Sequence, residues 1–263
     1  MPGRALAWWI GPVNGLLAPA TRRECRSPGP SFAALEQRSP PAPPSAGTSR
    51  EPAPAPRPRH GVHTGGMARV IAGEAGGRRL AVPGGRDTRP TSDRAREGLF
   101  ATISSIIGSL PGARVLDLYA GSGAVGLEAL SRGAAHVLLV ESGTRAGRVI
   151  KANIAALGLP GAEVIVDRVA RVLARGPQAP EGADARYDVA FADPPYALDG
   201  EEVSAMLTAL ADRAWLAPGA LVVVERATRS GPVRWPDGYV QDRARRYGEA
   251  TFWYGLAAGT PEE

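Results

Sequence analysis

Residues 115–126 read Val-Leu-Asp-Leu-Tyr-Ala-Gly-Ser-Gly-Ala-Val-Gly. An apolar run closes on Asp117, Gly121 and Gly123 supply a tight loop, and Gly126-Leu-Glu-Ala-Leu130 opens a helical pattern. The succession is strand, glycine loop, helix, the opening of a nucleotide-binding βαβ unit. Gly121, Gly123 and Gly126 also satisfy G-x-G-x-x-G, and Glu141 follows 20 residues after Gly121. Spacing alone therefore allows a dinucleotide oxidoreductase.

Charge argues for a different ligand. Five strand-like runs from here onward end at Asp117, Glu141, Asp167, Asp193 and Glu225. In a parallel doubly wound sheet those ends face the ligand crevice. A row of acids repels a pyrophosphate but suits a ligand bearing cationic groups, such as the sulfonium and ammonium of S-adenosylmethionine. The competing reading is that acids after strands cap the next helix or meet water.

The pattern on either side is regular. Strands over 114–119, 136–141, 162–167, 187–192 and 220–225 alternate with helices near 122–132, 143–157, 169–175 and 200–213. The tail from Tyr239 to Leu256 reads as two more strands joined near Gly248. Such alternation demands an α/β fold with a parallel sheet covered on both faces. Upstream, Arg69-Val-Ile-Ala and Arg79-Leu-Ala-Val bracket Gly73 to Gly77 as a short hairpin with arginines on its solvent side. A helix capped by Thr91, Ser92 or Asp93 follows, with Leu99, Phe100, Ile103 and Ile106-Ile107 as its apolar stripe. Residues 67–96 hold seven arginines against three acids, and Arg89, Arg94 and Arg96 gather at the start of that helix. Basic side chains beside free backbone amides make an anion site, and the local charge suits an RNA backbone. Arg243, Arg245 and Arg246 form a second basic group.

Phe191-Ala-Asp193-Pro194-Pro195-Tyr196 ends the fourth parallel strand. Two prolines cannot continue a ladder and fix a stiff turn that holds Asp193 and Tyr196 in place. A ring-conjugated exocyclic amine attacks a methyl sulfonium only when acceptors bind its hydrogens and turn its lone pair outward. The Asp193 carboxylate and the Pro194 carbonyl can do this, Tyr196 can stack on the extruded base, and Asp193 can receive the departing proton.

Composition narrows the classes. Residues 1–66 carry 13 of the 25 prolines, only eight Val, Ile, Leu or Phe, and a net charge of +5, so they are expected to be a disordered extension or a start called too early. Pro12 and Asn14 interrupt the run that could resemble a signal peptide. Residues 67–263 balance 23 basic against 23 acidic side chains, contain no cysteine, since Cys25 precedes them, and have His136 as their only histidine. A cysteine nucleophile, a histidine-dependent triad and a metal site are thereby disfavoured, and no apolar run is long enough to span a membrane.

Gly76-Gly-Arg-Arg-Leu, Arg89-Pro-Thr-Ser-Asp-Arg-Ala-Arg-Glu-Gly-Leu-Phe, Asp117-Leu-Tyr-Ala-Gly-Ser-Gly-Ala-Val-Gly-Leu-Glu-Ala-Leu-Ser-Arg and the Asp193-Pro-Pro-Tyr turn resemble the RsmD-type 16S ribosomal RNA guanine-N2 methyltransferases of bacteria. The similarity spans residues 67–256, and the Arg-Pro-Thr element narrows it most. It implies a Rossmann-like class I methyltransferase: a seven-stranded, mostly parallel sheet with one antiparallel member, helices on both faces, and methyl transfer from S-adenosylmethionine to a guanine N2 in small-subunit rRNA. Residues 67–108 would be the RNA-contacting hairpin and helix, and 109–263 the methyltransferase domain. Asp117, Tyr119, Gly121, Ser122, Gly123, Glu141, Ser142 and Asp167 would bind the cofactor, and Asp193, Pro194, Pro195 and Tyr196 would carry catalysis. Arg78, Arg79, Arg89, Thr91, Arg94 and Arg96 would touch RNA. Relatives carry an acid near 168 or 169 for the cofactor adenine, whereas this chain has Arg168 and Val169 after Asp167. The implied enzyme is a cytoplasmic monomer acting on 16S rRNA within a 30S particle or its assembly intermediate. An adenine-N6 methyltransferase on DNA or RNA, and a non-catalytic RNA-binding assembly factor, are the alternatives the motifs leave open.

Overall fold

The computed structural model describes residues 65–84, 92–178 and 184–258, with side chains from residue 68 onward. The expectation for the extension, and the site residues Arg89 and Thr91, lie outside the described residues. Strand β1 (Gly65–Arg69) pairs antiparallel with β2 (Arg79–Val82), and helix α1 (Asp93–Ile107) follows. Ser92 is its N-cap, accepting the Ala95 amide on its side chain. Then come β3 (Arg114–Leu118), α2 (Ala124–Ser131), β4 (His136–Glu141), α3 (Thr144–Leu157), β5 (Ala162–Val166) and α4 (Val169–Ala174). The chain continues through β6 (Tyr187–Ala192), α5 (Gly200–Asp212), β7 (Leu216–Ala227), a 3-10 turn at Thr228–Ser230, β8 (Tyr239–Tyr247) and β9 (Ala250–Ala257).

The seven strands of the large sheet stand in the order β5-β4-β3-β6-β7-β9-β8, with β9 antiparallel to both neighbours. Strand order therefore reverses between β3 and β6, and the crevice at a parallel sheet's carboxyl edge opens at that point. Both faces are covered because strand residues are apolar on both sides. Val189 and Phe191 of β6, with Leu221 and Val223 of β7, join a core shared with the hairpin, α1, α2 and α3. Ala190, Ala192, Val222 and Val224 face the opposite core under α4, α5 and Trp215. Each fully buried aliphatic side chain contributes about 1.5–3 kcal/mol relative to exposure. The hairpin and α1 belong to the first of these cores, contributing Ala68, Val70, Leu80, Val82, Leu99, Phe100 and Ile103. Among the described residues no helix is long and apolar enough to cross a membrane.

One strand end is not where its pattern puts it. β7 runs on to Ala227, so Glu225 is inside the strand, buried and paired across to Phe252, rather than at the carboxyl edge. The antiparallel partner β9 continues the hydrogen-bond ladder past the acid, and hydropathy along one strand does not report that continuation.

Candidate active site

At the switch point the chain builds a crevice of about 1180 Å3. Asp117, Tyr119, Gly121, Ser122, Glu141, Ser142 and the whole Asp193–Tyr196 turn line it. Asp117 is fully buried and accepts the Gly126 amide at 2.8 Å. Burial, aided by the charges of Asp193 and Glu141 and opposed by the Gly126 bond, raises its carboxyl to about 7. Half-buried Asp193 is pushed up to about 6, also by burial. Two acids that resist ionisation because they are buried are poised to gain from a cation placed between them.

The glycine loop is held from below. Glu141 accepts the Gly121 amide at 2.9 Å and the Gly143 amide at 2.6 Å, tying the turns after β3 and β4 together. A Cβ built on Gly121 meets no atom closer than 4.0 Å, so this loop faces open space, and its φ of +57° is the reason a glycine is suited there. Gly126 answers a different demand: a Cβ there would come within 2.7 Å of Val137 and 3.0 Å of the Asp117 carboxylate. Gly123 adopts the left-handed conformation as the N-cap of α2 and does not line the crevice. Tyr119 is non-glycine at φ +60°, the kind of strain that gathers at functional loops. Asn153, buried on α3, donates to the Ser122 and Ala81 carbonyls and accepts the Ala81 amide, each at 2.9 Å. Through it the glycine loop is fastened to β2, whose end residue Val82, with Pro83, forms part of the crevice wall. Nothing in the pattern around Asn153 or Val82 signals this, because the contact joins segments about 70 residues apart.

The Pro-Pro turn is pinned at three points. The Asp193 amide donates to Leu118 across the switch point, Leu198 closes a turn onto the Pro195 carbonyl at 2.9 Å, and Arg226 donates to the Leu198 carbonyl at 2.9 Å. Asp199 then starts α5 with a reciprocal capping box to Glu202. Pro194 is buried, whereas Tyr196 is 66% exposed, a large aromatic left in solvent at the crevice mouth.

Three expected site residues have other tasks. Asp167 is absent from the crevice lining; it accepts the Arg168 amide and the Arg175 guanidinium at 2.8 and 2.7 Å, which hold its carboxyl below the usual range. Arg96 is entirely buried, donating to the Arg69 carbonyl at 2.5 Å and to Asp93 at 2.9 Å, so it staples the hairpin to α1 instead of meeting RNA. Arg78 caps the carboxyl end of α3 through the Leu157 and Ala156 carbonyls. For the two arginines, a guanidinium near glycines or a helix start resembles an anion site, but backbone carbonyls or a carboxylate lie closer. Arg79 and Arg94 are exposed.

A strand-order switch, an acid-lined glycine loop and a rigid Asp-Pro-Pro-Tyr corner together define the fold and crevice of a class I methyltransferase. Residues 68–255 match the model of the family described as Conserved hypothetical protein 95, and the chain belongs to this family, the RsmD family. Ribosomal RNA small subunit methyltransferase D of Escherichia coli K12 is 35% identical over 191 residues, covering 72% of this chain and 90% of that protein. The protein of the same name from Haemophilus influenzae is 36% identical over 162 residues, covering 61% and 79%. Among solved structures, Escherichia coli yhhF superposes with a TM-score of 0.64 at 31% identity, covering 74% of this chain and 100% of that one.

Proposed function

We propose that this chain transfers one methyl group from S-adenosylmethionine to the exocyclic N2 amine of a guanine in 16S rRNA. The observation that carries the reading is the meeting of Asp117 and the Asp193–Tyr196 turn in one crevice, acids on the donor side and an exposed aromatic on the substrate side. The cofactor supplies an electrophilic methyl on a cationic sulfur. Asp117, Tyr119, Gly121 and Ser122 would hold its methionine end, with Gly123 setting the turn behind them, and Glu141 with Ser142 its ribose. The acids and the open loop fit a ligand whose charge is positive where Asp117 and Asp193 face it.

The guanine amine donates its hydrogens to the Asp193 carboxylate and the Pro194 carbonyl, which frees the nitrogen lone pair. Hydrogen bonds to a charged acceptor contribute about 1.5–3 kcal/mol, and fixing the approach of the two reactants contributes more. As nitrogen gains the carbon it loses a proton, which Asp193 accepts and later releases to water. Pro195 keeps the corner rigid, and Tyr196 stacks on the base at about 1–3 kcal/mol. Arg79 and Arg94 would add phosphate contacts, with Arg89 and Thr91 beside them in the sequence. The substrate particle would be an assembled or assembling 30S subunit, met in the cytoplasm by a monomer. Nucleoside mass spectrometry of rRNA from cells with and without the protein tests this: N2-methylguanosine should fall by one residue per 16S molecule, and an unchanged level refutes the reading.

A further inference from the structure

The crevice exceeds the roughly 300–1,000 Å3 that single small-ligand sites span. Its charges, moreover, are separated. Asp117, Glu141 and Asp193 stand at the ends of β3, β4 and β6, adjacent strands of the sheet. Beyond Tyr196 the lining passes to the ends of β7 and β8, where Arg229 and Arg246 border the same space. The elements that present them are latched together: the Thr228 amide donates to the Glu249 carbonyl at 2.7 Å, and the Thr228 and Thr251 hydroxyls are 3.0 Å apart. Arg246 spends its Nε on the Gly248 carbonyl at 3.0 Å, which orients the guanidinium at the turn. Arg229 is exposed, and among the described residues no ion pair engages it. Glu249, the acid at this end, already has an interaction partner.

Strands about 4.8 Å apart put β9 roughly 10 Å from β6 across the sheet edge. A base seated on Tyr196 would therefore have its own flanking phosphates near the basic end. Resting on the rRNA reading above, we infer that Arg229 and Arg246 clamp the RNA phosphates beside the target guanine, so the strand crosses the β7–β9 end of the crevice. Guanidinium groups suit this role because their paired N–H donors match phosphate oxygens. The charge gradient then orders the two ligands: a cation is drawn to the β3–β4 end, a polyanion is repelled from it and held at the other.

The test is a salt series of 16S rRNA binding by the full chain, comparing wild type, Arg229→Ala/Arg246→Ala and Arg229→Lys/Arg246→Lys. Loss of two phosphate contacts on a single strand should make the log–log salt slope of the alanine pair shallower by about 1.4. KM for the RNA substrate should rise about tenfold or more with kcat within about threefold, and cofactor affinity should stay unchanged. The lysine pair should keep the wild-type slope. An unaltered slope in the alanine pair overturns the inference, as does an equal loss in the lysine pair. Wild type that makes no N2-methylguanosine would instead sink the functional reading; active wild type with an unaltered variant slope sinks only the clamp.

Discussion

The two ends of the crevice arise from one sheet edge but are made differently. At the donor end the acids Asp117 and Glu141 sit at strand ends and are gripped by backbone amides of Gly126, Gly121 and Gly143. At the other end Arg229 projects from the 3-10 turn after β7 and Arg246 from the end of β8, both exposed, and among the described residues the pair makes one side-chain hydrogen bond, from Arg246 to the Gly248 carbonyl. A small ligand of constant shape rewards groups that are already fixed, since little entropy remains to be lost on binding. A polyanion whose path varies is met well enough by long cationic side chains. The contrast predicts that changes at the donor end alter chemistry and pH dependence, whereas changes at the basic end alter salt dependence.

Asp193→Ala should have the largest effect. Without the acceptor, turnover is expected to fall about 10²–10⁴-fold, far more than the loss of cofactor affinity that follows from removing one facing charge, with the RNA salt slope nearly unchanged. A changed slope would mean that the two ends are not independent. Tyr196→Ala should follow, weakening RNA binding by about 1–3 kcal/mol and leaving cofactor titrations unaltered.

Asp117→Asn probes the donor end by pH. Because burial raises Asp117 to about 7, the folded state keeps a proton there that the unfolded state has lost above about pH 4. The group's contribution to stability therefore declines as pH rises from about 4 to 7. The amide can still accept the Gly126 bond, so the variant should melt higher than wild type at pH 8 while binding cofactor more weakly. A lower melting temperature there would refute the assignment. In wild type, cofactor binding at about pH 6.5 should release protons, since a bound cation favours the ionised forms of Asp117 and Asp193; calorimetry in buffers of different ionisation enthalpy reads this directly. The smallest effect should come from Arg94→Ala, which removes at most one phosphate contact and so changes the salt slope by no more than about 0.7. A larger change would place the main RNA footprint on α1 and not on the turn after β7 and the end of β8.

Much of this was legible in the chain itself. Period and punctuation located every strand of the large sheet within a few residues, because buried parallel strands are apolar on both faces and glycine or proline marks their ends. The single antiparallel strand, β9, was implied by the family resemblance and is observed. Asp117, Glu141 and Asp193 are at strand ends as the pattern puts them, and all three line the crevice.

Arginine was the residue whose task the sequence left ambiguous. Arg78, Arg79, Arg94 and Arg96 look alike in a basic stretch, yet Arg96 is buried against a carbonyl, Arg78 caps a helix, and Arg94 meets solvent. A guanidinium reaches far enough to satisfy whichever acceptor folding brings near, so its partner is settled by segments distant in the chain. Glycine, proline and alternating hydrophobicity act through the local backbone and can be read in order; ion pairs, the extent of β7 past Glu225 and the Asn153 tie between the glycine loop and β2 exist only once the sheet has assembled.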